Sequence, residues 1–263
     1  MSRLLANFVL WLMSTALVAT AGVAGGWALY THRTTGEWRM PSRGDLNHAA
    51  RNLVGVEEVA PKVVYLHRGA ITLEGGPRDD AARNVSGIMG RTGKDQARLR
   101  GYRGSDAQWK RIVSCVRETF RPFDIEFVDT RPTSGDYFMV AIGSRPADIG
   151  YRDKRVGGLA PFNGKVIPDA VVFVFADTLG NRRRAICNTI AEEVGHAYGL
   201  DHSYDCSDVM TYLPDCGPKY FRDREMPCGE HEQRACIDGA PTQNTYEILA
   251  GRVGLREQRV ASR

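Results

Sequence analysis

The sequence predicts a single mixed α/β (α+β) domain. Three observations carry that prediction: short β-branched and aromatic runs recur along the chain, three longer stretches place apolar residues at helical spacing between and after them, and no internal repeat is present. A chain of 263 residues, 43% hydrophobic and 25% charged, suits one folded domain with appendages and excludes wholesale disorder or a fibrous repeat. The net charge of +4 is scattered, and no Lys/Arg block interleaves with aromatics, so no nucleic-acid partner is expected. The one tight basic run, Arg182-Arg183-Arg184, reads as a solvated turn ahead of a helix.

Residues 1–30 read as an export segment. Arg3 precedes an uncharged stretch that is apolar through Val18 and then small and glycine-rich. Cleavage after Ala21 or Ala24 would make it a signal peptide; uncleaved, it is long enough to anchor the chain in a membrane, the only membrane contact expected. Either way the remainder is secreted, periplasmic or held at the envelope. Residues 31–60 are polar and lack a sustained apolar period, as in a linker or short pro-segment. The folded domain is expected over 61–251, with a tail at 252–263.

Within that domain, Lys62 to Leu66 and Ala70 to Leu73 read as strands, followed by a glycine- and aspartate-rich loop. Ser105 is a helix N-cap with Asp106 in the first turn. After it Trp109, Ile112, Val113, Val116 and Phe120 make an amphipathic stripe that Pro122 ends. Phe123, Ile125 and Phe127 alternate with Asp124, Glu126 and Val128 as in a strand; Tyr137 to Ile142 and Ala170 to Phe175 are further strand-like runs. Asp148 to Pro168, rich in glycine and proline, is a long structured loop, and Gln243 to Ala250 with Val253 and Leu255 forms a last packed helix.

All six cysteines, Cys115, Cys187, Cys206, Cys216, Cys228 and Cys236, follow the export segment and include no C-x-x-C pair, so a disulfide framework is expected in place of a cysteine zinc site. Short loops favour Cys206 with Cys216 and Cys228 with Cys236, which leaves Cys115 to Cys187.

The chemistry concentrates in Ala191-Glu192-Glu193-Val194-Gly195-His196-Ala197-Tyr198-Gly199-Leu200-Asp201-His202-Ser203. On a helix starting near Arg183, Ile186, Ile190 and Val194 form a buried stripe, and a neighbouring face sets Glu192 and His196 one turn apart, where two side chains can grip one ion. Gly199 breaks the helix in a left-handed conformation so that His202 returns toward the same point. Glu193 would face the water at such a site as a general base. With Glu192 in the first position, the stretch otherwise matches the extended motif H-E-x-x-H-x-x-G-x-x-H and resembles the metzincins. Met210, eight residues after His202 in Ser207-Asp208-Val209-Met210-Thr211-Tyr212, resembles their Met-turn. Gly195 to Ser203 is most similar to the matrixins, the matrix-metalloproteinase-like branch, and the element order from Lys62 to Gly251, including Gly157-Gly158-Leu159-Ala160, is similar to a matrixin catalytic domain.

That resemblance implies a twisted, mostly parallel sheet with an active-site helix, a second long helix and a C-terminal helix. It implies a monomeric zinc endopeptidase with His196 and His202 as ligands, Glu193 as general base and Met210 beneath the metal. It also implies an extended peptide or protein substrate paired along an edge strand, here Ala170 to Phe175, with Val172 and Val174 as substrate-contacting positions. Glu192 departs from the pattern, but a carboxylate is a legitimate zinc ligand, and its negative charge predicts a less acidic water than three imidazoles would give. Of the other histidines, His32 and His48 fall in the linker, His67 ends a strand and His231 is the one substitute ligand worth naming. The loop at 148–169 holds no histidine for a second zinc, while Asp148, Asp153 and Asp169 are carboxylates that would suit calcium. No cysteine precedes Cys115, so the pro-region cysteine that silences many matrixins has no counterpart here. Two rival readings stand beside the peptidase: a peptide- or protein-binding domain on the same scaffold, and a metal-dependent hydrolase of a non-peptide substrate.

Overall fold

The computed structural model describes residues 60–214 and 216–256; the segments expected at 1–30 and, Ala60 apart, at 31–60 lie outside the described residues, as does 257–263. In chain order the elements are β1 (Val63–His67), β2 (Ile71–Gly75), β3 (Val85–Ser86), α1 (Gly87–Thr92), β4 (Gln96–Leu99), α2 (Asp106–Thr119), β5 (Glu126–Val128), β6 (Tyr137–Ile142), β7 (Gly158–Leu159), β8 (Val171–Val174), α3 (Arg183–Ala197), β9 (Met226–Pro227), β10 (Thr242–Gln243) and α4 (Thr245–Val253). The fold is mixed α/β. Its main sheet runs β5-β1-β6-β8-β7, parallel throughout except for the antiparallel edge strand β7.

Strand alternation divides the apolar residues between two faces. Phe138, Val140 and Ile142 of β6, with Val172 and Val174 of β8, point to the layer of α2 and α3 and meet Ile112, Val116, Ile186, Ile190 and Val194. Tyr137, Met139, Ala141, Val171 and Phe173 point the other way, onto Leu73, Ile88, Met89, Ala97 and Leu99. That second layer is a small sheet, β3-β2-β4, with α1 packed on it. Its central strand β2 is the one expected over Ala70 to Leu73, whereas β3, α1 and β4 occupy the region expected to be loop. Those three are too short to show a period, and α1 is fixed locally by the Ser86 side chain, which accepts from Met89 N, and by Gly93 in the left-handed conformation (φ 71°) at its end.

The covered double face corrects the expected edge strand. β8 is interior, bonded to β6 on one side and β7 on the other, and Val172 and Val174 have no exposed surface, so neither can contact a substrate. An unbroken apolar run is the signature of a strand buried on both faces. The edge is Gly158–Leu159 instead.

Of the strand expected around Phe123 to Phe127, only β5 pairs in the sheet; Phe123 closes a turn on Phe120 and bridges Leu255. Ordered contacts continue past the boundary expected at 251: α4 ends at Val253, and Arg256 N donates to the Pro122 carbonyl at 2.9 Å. The three disulfides pair as the spacing suggested, Cys115–Cys187 between α2 and α3, Cys206–Cys216 and Cys228–Cys236. Such bonds mark folding in an oxidising, exported setting. Among the described residues no helix is long and apolar enough to cross a membrane.

Candidate metal centre

Helix α3 is held by its burial. Ile186, Ile190 and Val194 are fully enclosed, and Arg182 at the N-cap makes no side-chain capping bond. Gly199 follows the helix with φ 84°, and its N–H closes on the His196 carbonyl at 2.7 Å. A Cβ there would come within 2.7 Å of the Lys165 backbone, so glycine is required both by conformation and by close approach. The reversal returns the chain toward α3 and carries His202 with it.

Glu192, His196 and His202 converge, each offering a ligand atom within 4.8 Å of the others. The two imidazoles meet edge to face, with ring centroids 4.4 Å apart, and His202 Nδ1 is 3.6 Å from Glu192 Oε1. Donors about 2.0–2.2 Å from one tetrahedral ion sit at roughly that mutual spacing, and two imidazoles with one carboxylate are a known set for catalytic zinc. His196 Nδ1 lies 2.8 Å from the Leu200 carbonyl. A carbonyl only accepts, so Nδ1 carries the proton and Nε2 keeps a lone pair for a metal. His202 Nδ1 is 3.4 Å from the Met210 carbonyl. The Phe162 ring lies over His196 at 5.1 Å.

Glu193 turns to the edge strand. A Cβ on Gly158 would lie 2.6 Å from both Glu193 Cγ and Oε1, so the carboxylate rests directly on β7 backbone. Met210 is fully buried beneath the helix, and its Sδ would collide with a Cβ on Gly195. Asp208, also fully buried, sets that turn: it accepts from Met210 N at 2.9 Å, Arg222 N at 3.0 Å and Thr245 Oγ1 at 2.6 Å.

Burial dominates the electrostatics. It raises the Glu192 carboxyl to about 7, opposed by the Lys219 charge. It lifts Glu193 well above the carboxylate range, and the neighbouring Glu192 charge adds to the effect. Burial, reinforced by His202, lowers His196 to about 3, and burial also lowers His202. The centre thus favours neutral imidazoles, the form that binds metal, beside two carboxyls that a divalent cation would help to ionise.

Several residues here escaped the sequence reading. The Tyr212 ring stands edge-on to His202 at 5.4 Å, and the Glu192 and Glu193 charges help to raise its hydroxyl after burial. Its position two residues after Met210 was the available signal. Gly195, Gly158 and Asp208 matter through contacts that no spacing rule exposes. Of the remaining sequence candidates, His231 is exposed and touches Tyr212 at 5.4 Å, outside the converging group. His67 Nδ1 pairs with the Tyr65 hydroxyl at 2.7 Å. Asp148, Asp153 and Asp169 do not gather into a metal-holding cluster among the described residues; Asp148 accepts from Arg145 N and Asp153 from Arg155 N. A second grouping, Asp201 with Cys228 and Cys236, is closed to metal because the two sulfurs are bonded to each other.

No family model matches this chain, and no curated protein matches it. Among solved structures it is similar to high choriolytic enzyme 1, a hatching enzyme zinc-protease from Oryzias latipes (medaka fish), at 14% identity and a TM-score of 0.28, covering 55% of this chain and 82% of that one. A likeness of that size carries no functional weight; the residues of the centre have to carry the reading by themselves.

Proposed function

We propose that this chain is a zinc-dependent endopeptidase of the metzincin kind, matrixin-like in its ligand helix, with Glu192, His196 and His202 as the metal ligands. One observation carries the reading: the carboxylate at the mismatched position points to the same spot as the two imidazoles, while Glu193 lies beside the edge strand. When bound, zinc supplies a Lewis acid for the scissile carbonyl and lowers the pKa of water there.

The chain's own residues do the rest. An extended peptide pairs with the outer edge of β7, the terminal strand of the sheet next to β8. That pairing brings the scissile bond past Glu193, whose Oε atoms take a proton from the attacking water and return it to the leaving amine. Burial of Glu193 against the edge strand limits access of bulk water to its carboxyl. The chain works outside the cytosol, in keeping with its disulfides, on peptides or proteins.

Purified protein is expected to carry one zinc per chain and to cleave a casein-type substrate. Glu193→Gln should keep the zinc and lose at least about 100-fold in kcat/KM. A wild type that holds no zinc and cleaves casein no faster than Glu193→Gln sinks the peptidase reading and leaves a binding domain.

A further inference from the structure

His202 reaches the centre on a short reversal, Gly199 to Asp201, so the helix alone does not fix its imidazole. The fixing groups come from farther along the chain. Asp201, its side chain only 3% exposed, accepts from His202 N at 2.7 Å and from Ile237 N at 2.8 Å. The Arg234 guanidinium forks onto the same carboxylate, Nη1 and Nη2 each at 2.8 Å. It also holds Glu230, Nη2 to Oε1 at 2.6 Å and Nε to Oε2 at 3.2 Å, and Glu230 Oε1 in turn stands 3.9 Å from His202 Nε2. From the other side Gln243, buried in β10, accepts from Asp201 N at 3.1 Å and donates to the Asp201 carbonyl at 2.6 Å and to Ser203 Oγ at 3.1 Å. The His202 carbonyl takes Gly229 N at 3.0 Å. Residues 201–203 are therefore clamped by the Cys228–Cys236 loop on one flank and β10 on the other.

We infer that Arg234 and Gln243 are positioning residues for the third metal ligand, holding the His202 backbone in its binding geometry so that metal uptake needs little further ordering of the chain. The inference rests on the proposed metal centre. Its physical content is preorganisation: a ligand already fixed loses little freedom on binding, and one left on a loose loop loses more. Arg234 suits the task because a planar fork can bridge two carboxylates at once, which the single ammonium of lysine cannot do with the same geometry.

The test is zinc affinity by chelator competition on the full chain, with peptide kinetics at saturating zinc. Arg234→Ala and Gln243→Ala are expected to raise the zinc Kd about 10–100-fold, while KM for peptide on the zinc-loaded mutants stays at the wild-type value. Arg234→Lys, which keeps the charge and should fold if alanine does not, is expected to recover only part of the affinity. A zinc Kd within twofold of wild type in Arg234→Lys and in whichever alanine mutants fold overturns the inference while leaving the peptidase reading intact. A wild type that takes up no zinc overturns both.

Discussion

The two long helices of the domain, α2 and α3, are bonded to each other through Cys115–Cys187 and lie on the same face of the sheet, yet they are built on opposite terms. Helix α2 obeys local rules: Ser105 and Gln108 form a reciprocal capping box, Asp106 sits in the first turn, and one apolar stripe is buried. Helix α3 breaks them. Its N-cap is Arg182 without a capping bond, the first turn holds no acidic residue against the arginines there, Gly195 stands in its last turn, and Glu193 and His196 are buried. What α2 contributes through its own sequence, α3 takes from its neighbours, and the residues that weaken it as a helix are those that assemble the centre.

The largest expected effect comes from cutting the link. Cys115→Ser with Cys187→Ser opens a loop of sequence separation 72 and should cost about 4 kcal/mol in denaturant unfolding. A loss below about 1 kcal/mol would mean that packing alone holds α3. Next is Gly195→Ala. In the interior of an ordinary helix that change gains up to about 1 kcal/mol. Here it should cost about 1–3 kcal/mol through collision with buried Met210, and a gain would break the contrast. Ser105→Ala on α2 should cost about 1 kcal/mol by loss of the cap, read as a shift in the unfolding midpoint. The smallest change is Arg182→Ser on α3, which supplies a cap where none exists and should gain about 0.5 kcal/mol. Destabilisation by that serine would show that Arg182 has a tertiary role.

The same contrast explains how much could be read from the residues. Strong local signals fixed their elements: the Ser105 cap placed the start of α2, the apolar run Tyr137 to Ile142 is β6 end for end, and Arg183 begins α3. Gly199 lies in the left-handed region, and the short cysteine loops pair as their spacing suggested. Of the small sheet, β2 was legible as the run Ala70 to Leu73, but β3 and α1 were missed because they have two and six residues, too few for a period to register. The edge strand was misplaced because β7 has neither apolar alternation nor length; it is defined only by pairing with β8. Within the centre, Glu192, Glu193, His196 and His202 were visible as a motif on one short segment. The groups that hold them came from contacts across 33 and 42 residues, Arg234 to Asp201 and Gln243 to Asp201, which no local pattern encodes.

Tyr198, two residues beyond the candidate ligand His196, is wholly buried, packs on Phe138 at 4.7 Å, and donates its hydroxyl to the Pro61 carbonyl at 2.6 Å. Pro61 is where the chain enters the domain, just ahead of β1, which is laddered in parallel to β5 and β6 on its two sides. The same hydroxyl therefore ties the start of β1 to the end of α3, so a displacement of the backbone at Pro61 would be felt by the helix that carries Glu192 and His196.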